Sequence, residues 1–482
     1  MRANHVFFER PRFQVLSPEQ MREIHLATLE VLERTGVKVL PEEGRQLLAD
    51  AGARLCPNNV VKIPAWLVEE TIRWAPRRIV VSRRDGTRTM FLEDHKAYFG
   101  GVSSCPKVMD PFTGEVRPTT SSDVKNLAVL HDYLPNMDFL MLLGHVYDVP
   151  SQISFQVEFR EVVKGTRSSP LVSCNDPVLF DEIVEMASMV AGGMDALRTN
   201  PFLIIYTEPI SPLVHADGLA VALKAAGLGL PVVNISMPIG GATAPVTFAG
   251  NLVVANAESL SAIVIQQLKR KGAPSIYGAI PAPIDMATTI YPYGAPELHL
   301  MCAALTDMAH YYGVPMYGTA GCTDAKAVDA QAGLELGVSV LMSALSGANL
   351  VHDVGLIDHA DVASFEAHVL TDEIVGYVDQ ILCGVQITPE SMALDVIDQV
   401  GHGNHYLGHD HTFRHFRRIW RPRFLDRSRR EIWEAAGSPS VFQRLNDEVK
   451  RILTTHTPSP LDDKLVAELD GLQAKWLERT TK

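Results

Sequence analysis

Near residue 97 the spacing of hydrophobic and polar positions changes character. Before that point apolar positions recur at helical spacing. Met21, Ile24, Ala27, Val31 and Leu32 form one stripe, opened by Ser17-Pro18-Glu19-Gln20, a capping serine with proline at the first helical position and glutamine at N3. Gly36 ends that helix, and further helices are expected over 42–51 and 65–74. The apolar runs 79–82 and 89–92 flank Asp85-Gly86, a hairpin turn signal. From Ala97 onward, short apolar runs alternate with segments of helix length. The runs cover 97–100, 139–145, 170–174, 202–207, 231–236, 274–279, 314–319 and 349–353; the helices cover 122–133, 152–163, 178–190, 213–226, 252–271, 297–311, 326–345 and 363–382. Parallel strands need a crossover helix between them, so eight such repeats predict an α/β fold of the (β/α)8 TIM-barrel type. The expected organisation is an N-terminal helical and small-sheet cap (1–95), the barrel (96–384) and a C-terminal helical extension (385–482) with helices near 389–400, 441–453 and 464–479. The helix over 326–345 is apolar almost all round, from Leu334 to Leu345, which predicts burial on two sides and a homo-oligomer contact.

With 46% hydrophobic and 21% charged residues, the chain of 482 residues can fill such a core unaided. A formal net charge of -13 argues against nucleic acid as a partner and favours cationic ligands. The opening Met1-Arg2-Ala3-Asn4-His5 has no apolar stretch of signal-peptide type, and no later run reaches about 18 apolar residues, so no membrane partner is expected and the cytoplasm is the expected location. Six cysteines, Cys56, Cys105, Cys174, Cys302, Cys322 and Cys383, are scattered without a CxxC pair and are expected to be reduced thiols.

In a barrel of this kind the reacting groups sit where the strands end. Those ends carry Tyr98 with Gly100 and Gly101, His145, Cys174 with Asn175, Tyr206 with Glu208, Asn234 with Ser236, Tyr277, Tyr317 with Thr319, and His352 with Asp353. Four of these are tyrosines. A quaternary ammonium offers no N–H donor, and aromatic faces hold it by cation–π contact at about 0.5–2 kcal/mol each. Tyrosine is also β-prone and amphipathic, so any one of them is equally suited to plain strand packing with its hydroxyl at the wet rim. No GxGxxG or GxxxxGK[ST] motif follows the first strand, and Gly240-Gly241 after the fifth strand is placed to bring backbone amides close to an anionic group, a cue little stronger than an ordinary loop. His352-Asp353 also has the makings of the acid/base pair of a barrel lyase. The cluster His402, His405, His409, His411 and His415 is interleaved with arginines and matches no zinc-ligand spacing, so no bound metal is expected.

The segments YGAPELHLMCAALTDMAHYYG (293–313), YGTAGCTDAKAVDAQAG (317–333), SGANLVHDVG (346–355) and GHGNHYLGHDHTFRHFR (401–417) resemble blocks of the trimethylamine methyltransferase (MttB-like) family. Its founding members carry pyrrolysine. This chain has standard residues throughout and therefore resembles the pyrrolysine-lacking branch, whose members demethylate quaternary amines. The resemblance implies transfer of an N-methyl group from a quaternary amine, glycine betaine first and proline betaine or carnitine as alternatives, to the Co(I) corrinoid (cobalamin) of a separate corrinoid-binding protein. A quaternary-amine binding protein without catalysis is the alternative of a different class. The resemblance also implies that Tyr98 and His352 are catalytic. The full expected substrate-binding set is Tyr98, Tyr206, Asn234, Tyr277, Tyr317, Thr319 and His352, with the substrate carboxylate held by uncharged donors among Asn175, Asn234, Ser236, Thr319 and the Gly240-Gly241 backbone, together with His352. The His402–His415 stretch is expected to be structural or to serve the corrinoid partner.

Overall fold

In the computed structural model of the chain, residues 11–480 are described; the opening Met1–His5 lies outside them. Eight parallel strands close into a barrel: β1 (Tyr98–Gly101), β2 (Phe139–Met141), β3 (Ser169–Ser173), β4 (Ile204–Thr207), β5 (Val232–Ser236), β6 (Ser275–Ala279), β7 (Met316–Thr319) and β8 (Leu350–Val354), with β8 pairing back onto β1. Each lies within or next to its expected run. The helices that follow them are α1 (Ser121–Tyr133), α2 (Ser154–Gly165), α3 (Pro177–Ala191), α4 (Asp217–Leu228), α5 (Phe248–Lys269), α6 (Pro296–Tyr312), α7 (Ala330–Ser346) and α8 (Phe365–Leu382). Local signals set their ends. Ser364 and Asp329 cap α8 and α7 through their side chains, and Gly229, Gly313 and Gly347 end α4, α6 and α7 in left-handed conformation. The long apolar α5 is mostly buried, packed on β5 and β6.

Strands buried on both faces separate two cores. Phe139, Met141, Leu171, Ile204, Val233, Ile235, Ile276 and Leu350 fill the barrel interior, while the outward residues pack under the helices. Gly100 makes room for this interior, since a Cβ there would lie 2.3 Å from the Phe139 ring. The expected hairpin is present (Ile79–Ser82 with Arg88–Leu92) and plugs the N-terminal end of the barrel: Ile79, Val81, Met90 and Leu92 join the interior core, and Ser169 Oγ donates to the Ser82 carbonyl at 2.7 Å. The plugged end leaves the opposite end, where the strands finish, as the mouth. A four-stranded sheet beside it, from Lys107–Met109, Val116–Pro118, Leu356–Ile357 and Val362–Ser364, was not foreseen. Its strands are two or three residues long, too short to register as a period-2 pattern.

After α8 the chain forms short helices (Pro389–Met392, Leu394–Val400, Asp410–His415, Arg430–Ala435) and then two long ones, Val441–Thr455 and Asp463–Thr480. Val441–Thr455 packs on α1 and α8 through Leu445, Val449 and Ile452.

Candidate active site

The chemistry at the mouth begins with an irregularity. Between Val351 and Val354 strand β8 slips register against β1, where Phe99 and Gly101 span two steps while β8 spans three. This is a bulge, and it aims consecutive residues at the same side of the sheet. His352 and Asp353 are therefore both brought to the mouth, and both are buried. Asp353 sits at φ 77°, a left-handed conformation that a side-chain-bearing residue adopts at a cost on the order of 1 kcal/mol. Thr319 on neighbouring β7 donates its hydroxyl to Asp353 Oδ2 at 2.6 Å. The other oxygen, Oδ1, lies 3.2 Å from His352 Nε2 without an aligned hydrogen bond, and among the described residues no other group satisfies it. His352 Nδ1 donates to the Gly318 carbonyl at 2.8 Å, which fixes the ring plane.

Aromatic rings surround this pair. Tyr317 lies 4.4 Å from the His352 ring and 6.0 Å from Tyr206, centroid to centroid, and Tyr206 lies 6.4 Å from His352. The loop after β6 adds Tyr291 and Tyr293, 5.0 Å apart. Tyr291 donates its hydroxyl to the Ile280 carbonyl, while the Tyr293 and Gly294 amides donate to the Asp324 carboxylate at 2.9 and 3.0 Å. Asp324 is steadied in turn by Glu335, which accepts from its amide at 2.8 Å. Thus the YGAPELHL and YGTAGCTDAKA segments meet here, one carrying aromatic rings and the other anchoring the loop that carries them. Burial first, and the negative field of Asp353 with it, pushes all four phenols well above their ordinary range, so the rings are neutral.

Tyr206 donates to Glu208 Oε2 at 3.1 Å. Glu208 is exposed at the rim, where desolvation by the surrounding wall raises its carboxyl while the Tyr206 bond lowers it. Glu208 and Asn175 line a cleft of about 410 Å³ beside the mouth, closed on its other sides by Pro209, Ser211, Asp217 and Met237. The thiols near the mouth are held protonated. Burial pushes the Cys174 thiol up to about 11 and the Cys302 and Cys322 thiols higher still.

Tyr206, Tyr317, Thr319 and His352 are the residues expected from the sequence that the structure brings together. The other three it does not. Tyr98 opens β1 instead of closing it, and its hydroxyl accepts from the Phe91 amide of the plugging hairpin, at the far end of the barrel from the mouth. Tyr277 turns outward and donates to Asn256 Oδ1 on α5 at 3.0 Å. Asn234 turns outward to Gln266. Ser236, expected as a donor to a substrate carboxylate, likewise donates to Glu258 behind the wall. Sequence reasoning missed Tyr291 and Tyr293, although Tyr291-Pro292-Tyr293-Gly294 immediately before the capped start of α6 was a signal that could have found them. The histidine cluster lies on the C-terminal extension: His409 accepts from the His411 amide, and His411 and His415 stack at 4.3 Å. Among the described residues no three His, Cys, Asp or Glu side chains come together as a metal site.

Comparison with known proteins places this geometry. The family described as trimethylamine methyltransferase (MTTB) matches residues 2–479. The chain is 34% identical to trimethylamine methyltransferase MttB of Desulfitobacterium hafniense over 95% of its length and 92% of that protein. It is 28% identical to a glycine betaine methyltransferase of the same species over 96% of its length and 97% of that protein. The crystal structure of the Methanosarcina barkeri monomethylamine methyltransferase MtmB superposes with a TM-score of 0.52 at 12% identity, covering 92% of this chain and 88% of that one, which is a likeness of fold. A family match along almost the entire chain, joined to a closed barrel whose mouth is built from the family-like segments, makes the protein a member of the trimethylamine methyltransferase family.

Proposed function

We propose that the protein removes one N-methyl group from a quaternary amine and passes it to the Co(I) corrinoid of a separate corrinoid-binding protein. The observation that carries this reading is the set of neutral tyrosines, Tyr206, Tyr291, Tyr293 and Tyr317, gathered around the buried carboxylate of Asp353. Aromatic faces and one carboxylate suit a permanent cation, and neither demands a donor from it. A quaternary ammonium departs as a neutral amine, so no proton need be delivered at the reacting nitrogen. The chain's part is to bind the cation, turn one methyl toward the mouth and keep water out. His352, its ring fixed by Gly318, lies beside the Asp353 carboxylate, and Thr319 holds the other oxygen of that carboxylate. The nucleophile comes from the partner's corrinoid, in keeping with buried thiols raised above the range where they would ionise.

Glycine betaine is the substrate suggested by the resemblance, and the glycine betaine methyltransferase among the relatives supports it. With Asn234 and Ser236 turned outward and both His352 ring nitrogens engaged, its carboxylate would rest on Asn175 and backbone amides. A cytoplasmic setting belongs to the same reading, because Co(I) survives only under strong reduction. The test is to incubate the protein with Co(I) cobalamin and glycine betaine, proline betaine, carnitine or choline while following methyl-Co(III) absorbance. The proposal expects that spectrum with at least one of them. Binding without the spectrum would instead identify a quaternary-amine binding protein.

A further inference from the structure

Two carboxylates flank the tyrosines of the mouth, and among the described residues neither is paired with a lysine or arginine. Asp353 is fully buried, and its Oδ1 lacks an aligned donor. Glu208 stands at the hydroxyl end of Tyr206, on the turn that follows β4, and is exposed. Its Oε2 accepts from Tyr206, while among the described residues Oε1 has no hydrogen-bond partner. Burial first, and then the fields of Glu208 and Asp353, raise the Tyr206 and Tyr317 hydroxyls, so both acids act on the same pair of rings.

Glu208 also belongs to the cleft of about 410 Å³ beside the mouth. Met237 joins the two spaces: it lines that cleft, packs on the interior core, and its Sδ lies 3.8 Å from the Tyr206 hydroxyl. The polar side chains of the cleft are Glu208, Asp217, Asn175 and Ser211, and Ser211 already donates to Glu258 at 2.8 Å. No lysine or arginine is among its lining residues. Lys326, the first basic residue after β7, is occupied elsewhere: it donates to the Asp324 carbonyl at 2.8 Å and pairs with Asp358 at 3.3 Å. A molecule reaching from the rings into the cleft therefore meets negative charge at both ends. A quaternary ammonium satisfies the first end without a donor. The second end asks for a hydrogen to give to Glu208. A hydroxyl supplies one, and hydrogen bonds to an ionised acceptor are among the stronger ones. A substrate carboxylate supplies none and adds a third negative charge beside Glu208 and Asp217.

We propose that Glu208 sets the substrate preference of the methyl transfer proposed above, the reading on which this inference rests. Glu208 accepts a hydrogen bond from a hydroxyl on the quaternary amine, so that a hydroxylated cation of the choline kind is favoured over a betaine. Glycine betaine then ranks below choline, with only Asn175 and backbone amides to hold its carboxylate. The deciding quantity is a ratio of affinities, because a displaced turn or a loosened Tyr206 ring would weaken every ligand alike.

Isothermal titration of the full chain tests it at about pH 8, where an exposed carboxylate is ionised, with wild type and Glu208→Gln each titrated with choline, choline methyl ether, glycine betaine and tetramethylammonium. Glutamine keeps the size of the side chain and an acceptor for Tyr206 and removes the charge. The wild type should bind choline at least about fivefold more tightly than its methyl ether or glycine betaine, and Glu208→Gln should cut the preference for choline over glycine betaine at least about fivefold. Tetramethylammonium reports on the ring end, so its affinity should fall by a smaller factor than that of choline. A wild type that binds glycine betaine or choline methyl ether as tightly as choline overturns the inference, as does a preference that Glu208→Gln leaves in place. Equal losses for choline and tetramethylammonium in the variant overturn it too, because Glu208 would then only support the Tyr206 ring. Failure of the wild type to bind any of the four overturns the methyl-transfer reading and this inference with it, whereas binding of tetramethylammonium with glycine betaine preferred to choline overturns this inference alone.

Discussion

Replacing Tyr206 by leucine removes one aromatic face from the mouth while keeping an apolar side chain in the wall. Tyr206 is buried, 6.0 Å from Tyr317 and 6.4 Å from His352, so its ring belongs to the group that a quaternary ammonium would touch. One cation–π face contributes about 0.5–2 kcal/mol, which corresponds to a dissociation constant roughly 2–30-fold higher for the leucine variant. Tyr206→Phe keeps the face and gives up the hydroxyl's bond to Glu208, whose exposed carboxylate water can solvate, and its weak contact with Met237 Sδ, so it should lose about threefold or less. Tetramethylammonium is the suitable probe in isothermal titration, because it has no group other than its methyls to recognise. Tyr98→Leu is the control. That ring anchors the plugging hairpin through Phe91, so its loss should lower thermal stability and leave the dissociation constant unchanged. Equal affinity losses for Tyr98→Leu and Tyr206→Leu, or none for Tyr206→Leu, would refute the placement of the cation among the mouth tyrosines.

Asp353→Asn keeps a residue that tolerates the left-handed backbone and still accepts from Thr319, so the fold should persist while tetramethylammonium binding weakens at least about tenfold by titration. Unchanged affinity would remove the carboxylate from the site. Gly100→Ala would push a methyl against the Phe139 ring and should destabilise the barrel by about 1–3 kcal/mol in denaturant unfolding; a smaller loss would mean that the ring has room to move. Glu158 is fully buried, accepts from the Gly144 amide at 2.9 Å, and burial raises its carboxyl from 4.5 to about 8. Because the folded state holds this proton more tightly, its contribution to stability is full below pH 4.5 and lost as pH rises through 8. Glu158→Gln should therefore flatten the fall in urea midpoint across that interval, and an unaltered slope would show that Glu158 does not titrate there.

The barrel could be read from the chain because eight apolar runs and eight helical stripes alternate without a break, and each run fell on or beside a real strand. The site was only partly legible, for reasons tied to particular residues. Strands β5 and β6 are buried on both faces, so Val232-Val233-Asn234-Ile235 and Ser275-Ile276-Tyr277 show no alternation to say which residues point inward. Asn234 and Tyr277 proved to be out of phase with the interior. In β4 and β7, Tyr206 and Tyr317 share phase with the interior residues. Tyr98 was assigned to the wrong end of its strand, a distinction that a four-residue element does not reveal by pattern. The bulge that turns Asp353 inward depends on register against β1, which a single run of residues does not carry. Tyr291 and Tyr293 reach the site from a loop held by Asp324, a contact across 30 or more residues of sequence.

The most direct test of the central claim follows the methyl group itself. Tetramethylammonium, choline and glycine betaine with trideuterated N-methyl groups would each be incubated with the protein and Co(I) cobalamin, and trimethylamine run alongside. Mass spectrometry would then count labelled methylcobalamin against the demethylated amine. The account predicts labelled methylcobalamin and demethylated amine in equal amounts from at least one quaternary amine, none from trimethylamine, and loss of the transfer in Asp353→Asn. Label arriving from trimethylamine and from no quaternary amine would contradict it.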